Sequence, residues 1–130
     1  MLGSLPLMAI IVITYNVMAL VTGPTMDTSL FEAQLVSGAT WTVTVADGLL
    51  VLALILLFLE MVTATRTSGS TVVNHGLSLV VFIAALVEFM VLPEFGTSTF
   101  FMITMFTLLD VVAGFTITIA TARRDFSVGE

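Results

Sequence analysis

Four carboxylates stand in or at the edge of long apolar runs: Asp47 in TWTVTVADGLLVLAL, Glu60 in LLFLEMVTAT, Glu88 in ALVEFMVLP and Asp110 in TMFTLLDVVAGF. A single histidine, His75, accompanies them, and the chain has no cysteine. An ionisable group among apolar residues needs a partner, a water-filled cavity or a changed protonation state, so these residue types point to cation binding or proton relay. Other chemistries lack their residues. Zinc requires three or four converging ligands, which one histidine and scattered acids do not provide, and a bis-histidine haem is excluded. Ser78 is a helical neighbour of His75, but no oxyanion motif such as G-x-S-x-G accompanies it, and there is no phosphate loop or dinucleotide fingerprint. No enzymatic activity, metal or cofactor is expected.

The spacings give each acid a setting. Thr104, Thr107, Asp110, Gly114, Thr118 and Thr121 recur at intervals of three and four, which gathers hydroxyls, a glycine and a carboxylate on one helical stripe. Asp110 lies roughly 20 Å below the outer end of that helix, near the membrane midplane. Such a stripe faces protein or water: either it binds an ion or proton at Asp110, or it is a packing seam with Asp110 protonated, or hydrogen-bonded to a neighbour such as Asn16. Asn74, Ser78, Val81, Ala85 and Glu88 form a second stripe. Asp47 is either buried a turn or two into its helix or the N-cap at its outer boundary, where the helix dipole stabilises an anion. If a hairpin turn centres near Ser68, Glu60 stands level with His75, and Asp47 with Glu88. A Glu60–His75 contact would be a proton relay, since histidine titrates near neutrality, or a polar pair that locks the hairpin.

The elements that position these groups follow from composition. With 58% hydrophobic residues, 9% charged residues and a mean hydropathy of +1.20, the chain is built for a bilayer. Continuous apolar runs predict an all-α membrane protein of four transmembrane helices, over about 4–22, 42–65, 72–92 and 98–122, in an antiparallel up-down bundle. The four helices form one domain over 1–130. The first run has no Lys or Arg before it and no small-x-small pattern after it, so it is read as a retained helix with Pro6 near its first turn. Gly23-Pro24 stops that helix. In the loop that follows, the Ser29/Glu32 spacing, the grouping of Leu30, Phe31 and Leu35, and Gly38 suggest a short interfacial helix, a lid or an anchor with Trp41 in the aromatic belt.

Arg66, Arg123 and Arg124 are the only basic residues, and a four-helix serpentine puts all three on one side. The positive-inside rule makes that side cytoplasmic, with both termini. Asp27, Glu32 and Glu94 then mark an acidic outer face. The formal charge of −6 argues against nucleic acid as a partner.

The segments RTSGSTVVNHGLS, EF, TSTFF, LLDVVAGF and ARRD, spread over the last two-thirds of the chain, resemble a family of small uncharacterised four-helix bacterial inner-membrane proteins. The resemblance implies the bacterial cytoplasmic membrane and carries no mechanism. GTSTFF is similar to the Thr/Phe-rich filter of small four-helix fluoride channels, but it precedes helix four and lacks the glycine-rich first helix with its arginine. Small multidrug transporters share the length, but use a first-helix glutamate where this chain has Asn16. Two functional expectations remain. One is an oligomeric permeation or transport module in which Asp110, Glu88 and Asp47 bind cations or relay protons beneath an anionic vestibule. The other is a structural or accessory subunit whose small-residue stripes dock on a partner membrane protein. Side chains fill a four-helix core, so either reading implies association.

Overall fold

A computed structural model describes residues 5–22, 25–65 and 69–128, the side chains of 69–71 and 125–128 excepted. Gly23-Pro24, Arg66 and Ser68 lie outside the described residues. The chain is mostly helical. In order come α1 (Leu7–Leu20), β1 (Ser29–Gln34), β2 (Thr40–Thr44), α2 (Val45–Thr63), α3 (Gly69–Val91), a single 3-10 turn (Pro93–Phe95) and α4 (Ser98–Val128).

Each boundary has a local cause. Pro6, in extended backbone, stands at the N-cap of α1, where its missing N–H is no loss. Thr44 and Asp47 form a reciprocal capping box on α2: the Asp47 N–H donates to Thr44 Oγ1 (3.2 Å), and the Thr44 N–H to Asp47 Oδ2 (3.0 Å). Two more N–H groups of the first turn, on Val45 and Ala46, donate to the carbonyls of Thr28 and Met26. Thr97 does similar work for α4 by accepting from the Phe100 N–H at 3.1 Å.

One expectation is corrected here. The loop between α1 and α2 holds an antiparallel hairpin, and no interfacial helix forms there. The segments SLFEAQ and TWTVT are rich in β-branched and aromatic residues, and their alternation puts Phe31 and Ala33 opposite Val43 and Trp41 on one face. Glu32 and Gln34 oppose Thr42 and Thr40 on the other. Consequently the Ser29/Glu32 capping box is not made; Glu32 instead accepts from Thr42 Oγ1 at 3.3 Å. Gly38 turns the hairpin with φ of +93°, a conformation that favours glycine.

The expected count of four spans is met in part. Three helices, Val45–Thr63, Val72–Val91 and Ser98–Arg124, are long and apolar enough to cross a membrane. The 14 residues of α1 make about 21 Å of helix, short of a hydrocarbon core of about 30 Å.

In cross-section, large apolar side chains cover the outside as well as filling the core. Val51, Ile55 and Phe58 on α2, Val80 and Val87 on α3, and Val112 on α4 face outward, whereas Glu60, Asn74, His75, Ser78 and Asp110 are buried. That distribution is favourable where the surroundings are hydrocarbon, and it would be costly in water. α4 packs against both α2 and α3, and α1 packs across all three. Tyr15, Phe95 and Phe100 close one end of the core as an aromatic trio with ring centroids 4.7–5.3 Å apart.

Candidate functional site

Three helices bring the polar core together: α2 supplies Glu60, α3 supplies Asn74, His75 and Ser78, and α4 supplies Asp110, Gly114 and Thr118. Glu60, His75 and Asp110 are 3%, 2% and 2% exposed. The stripes at intervals of three and four are therefore the buried faces of α3 and α4, and Asp110 faces protein.

Glu60 is held at the start of α1. Its Oε1 accepts from the Leu7 N–H, and its Oε2 accepts from Asn74 Nδ2 at 3.4 Å. The first N–H groups of a helix have no partner in their own ladder, and Pro6 offers no side-chain cap, so a carboxylate from α2 supplies the acceptor. No Glu60–His75 hydrogen bond forms. The hairpin register that the sequence suggested is close, but it delivers Asn74, one residue earlier, to Glu60.

His75 turns to α4. Its Nε2 lies 2.8 Å from Thr118 Oγ1, and Thr118 donates its only hydroxyl proton to the Ala64 carbonyl at 3.0 Å. Nε2 is therefore the donor to Thr118, and in the neutral imidazole Nδ1 is an acceptor. Gly114 makes this approach possible: a Cβ there would lie 2.7 Å from His75 Cε1 and 2.9 Å from Nδ1. Phe115 flanks the imidazole with its centroid 5.1 Å away.

Asp110 is buried on the inner face of α4, and no hydrogen bond reaches its Oδ2 among the described residues. Ser78 spends its one hydroxyl proton on the Asn74 carbonyl at 3.0 Å. Asp110 Oδ2, Asn74 Oδ1 and His75 Nδ1 are all buried without a hydrogen-bond partner among the described residues. Every one of the three is an acceptor. The cluster is thus short of protons or positive charge, and an anion would find no donor in it.

The remaining candidates separate from this cluster. Asn16 donates to Glu88 Oε1 at 3.1 Å, linking α1 to α3, and makes no bond to Asp110. Glu88 is half-buried there and does not pair with Asp47, which is engaged in the capping box. Asp47 is neither the N-cap nor deep in α2 but the third residue of its first turn. Thr104 and Thr107 bond back to the Phe100 and Thr104 carbonyls at 2.9 and 2.6 Å, so their hydroxyls are spent within α4. Arg123 and Arg124 are exposed near the end of α4.

Two participants had little sequence signal. The Leu7 N–H is a backbone group, foreshadowed only by a proline that starts a helix without a capping side chain. Tyr15, whose hydroxyl lies 2.8 Å from Thr97 Oγ1, lines a cavity of about 290 Å³ with Asp27, Glu94 and Thr99. Comparison of the chain with protein-family models, characterised proteins and solved structures finds no match.

Proposed function

We propose that this protein is a small membrane-embedded module that takes up and passes protons or cations through the Glu60–Asp110 cluster, working as an oligomer in the bacterial cytoplasmic membrane. In this reading all four helices cross as an antiparallel up-down bundle, and both termini lie on the cytoplasmic side with Arg123 and Arg124. One observation supports it above the others: the buried core carries two carboxylates and three unpartnered acceptors, with no compensating cation among the described residues. A purely structural polar seam would be completed by donors, because each buried acceptor left alone costs about 1–3 kcal/mol. The outer cavity beside Asp27 and Glu94 serves as an anionic vestibule that concentrates cations.

The test is proton and monovalent-cation flux in proteoliposomes under an imposed potential, with Asp110→Asn beside the wild type. Wild-type flux that is lost in Asp110→Asn and retained in Asp47→Asn is the expected result. Wild-type vesicles no leakier than protein-free ones would defeat the reading and favour an accessory subunit of a larger membrane complex.

A further inference from the structure

The cavity lined by Tyr15 lies apart from the buried carboxylates, near the C-terminal end of α1 and about 18 Å along that helix from the Leu7 N–H that engages Glu60. We infer that this cavity binds a small organic ammonium ion that carries a hydroxyl on its apolar body. The inference goes beyond the transport reading and holds whether or not ions pass the core.

Size sets the class of occupant. The cavity measures about 290 Å³, close to the lower end of small-molecule pockets at about 300 Å³. About ten waters would fill it, so it is far larger than a bare metal ion and too small for a polypeptide segment. Three parts of the chain form its walls: Tyr15 and Ala19, one turn apart on α1; Met26 and Asp27, before the hairpin; and Glu94 and Thr97, in the turn that leads into α4.

Charge sets the sign. Asp27 and Glu94 are exposed carboxylates, and the lining holds no Lys, Arg or His. The described basic side chains, Arg123 and Arg124, stand about 38 Å further along α4 than its first residue. An anion therefore finds no counter-charge here. A hydrated inorganic cation would meet the carboxylates but gain nothing from the Tyr15 ring, Ala19 and Met26, whereas an organic cation buries that apolar wall while its nitrogen stays at the carboxylates.

The floor of the cavity adds the hydroxyl. Tyr15 is 2% exposed and is fixed by Phe95 and Phe100, with ring centroids 5.3 and 4.7 Å away. Its hydroxyl lies 2.8 Å from Thr97 Oγ1, which also accepts from the Phe100 N–H. The bond between the two hydroxyls uses one of their two protons, and the other has no acceptor among the described residues. Water takes that proton in the free protein. An occupant that displaces the water keeps the bond only by bringing an oxygen of its own.

Tyr15 is the chain's one tyrosine, so ring-¹³C-tyrosine gives a single NMR reporter inside the cavity of the full-length protein in detergent. Tyramine, with an ammonium at one end and a hydroxyl at the other, would be titrated beside phenethylammonium, which lacks the hydroxyl, 4-ethylphenol, which lacks the ammonium, and NaCl. A saturable Tyr15 shift with tyramine is expected, about five-fold weaker with phenethylammonium and weaker again with 4-ethylphenol. The double variant Asp27→Asn/Glu94→Gln should raise the tyramine midpoint about three- to ten-fold, the range that two exposed charge contacts support. Glu32→Gln, an exposed acid outside the cavity, should leave it unchanged, and Ala19→Phe, which fills the cavity from α1, should abolish the shift. No saturable shift in the wild type overturns the inference, as does 4-ethylphenol or NaCl moving Tyr15 at the same concentrations as tyramine. Equal midpoints for tyramine and phenethylammonium overturn the assignment of the hydroxyl. None of these readings involves ion flux, so the inference and the transport reading fail separately.

Discussion

At the scale of single residues, the tightest constraint is the approach of His75 to α4. Gly114 has no room for a methyl group, and the imidazole cannot retreat because Thr118 holds Nε2. Gly114→Ala should therefore destabilise by about 1–3 kcal/mol, the usual cost of overpacking, read as a lower unfolding temperature in detergent. Gly76 on α3 is the internal control, with open space where its Cβ would be. Gly76→Ala should raise stability by about 0.5–1 kcal/mol through helix propensity. Equal effects at the two glycines would mean that His75 does not sit against Gly114.

At the scale of elements, α2 begins because a hairpin and a capping box deliver acceptors to its first turn. Thr44→Ala removes one arm of that box and should cost about 0.5–2 kcal/mol, measured by thermal unfolding, with ion flux through folded protein unchanged. The helices and their buried faces were legible in the sequence, because polar residues at intervals of three and four in an apolar run have only one side on which to hide. Asn74, Ser78, Thr107 and Asp110 all lie where that rule puts them. The hairpin was misread because Ser29 and Glu32 satisfy a helix-start spacing while Phe31, Ala33, Trp41 and Val43 satisfy strand alternation, and cross-strand pairing decided the matter. Partner choice within the core was less legible still. One residue of register separates Asn74 from His75, and the Leu7 N–H that engages Glu60 has no side chain to announce it.

At the scale of the whole molecule, the polar stripes are consumed inside the chain, so neighbouring proteins would meet mainly the aliphatic outer surface. Orientation is open to direct measurement, because the chain has no cysteine. Ser37→Cys, in the hairpin turn, and Ala122→Cys, near the end of α4, would each introduce the sole thiol. An impermeant maleimide should label position 37 in intact cells and position 122 only after permeabilisation; the reverse pattern would invert the proposed topology.

The unequal lengths of the helices bear on the lipid as well. α1 offers about 21 Å of helix, while the 31 residues of α4 extend about 46 Å. A bilayer that seals against α1 has to thin locally, and α4 meets the same bilayer by tilting or by carrying its arginine end clear of it. Each subunit would then deform its surroundings asymmetrically. If α1 crosses the membrane as proposed, placing the short helices of two copies side by side would share that deformation, and membrane thickness would favour their association.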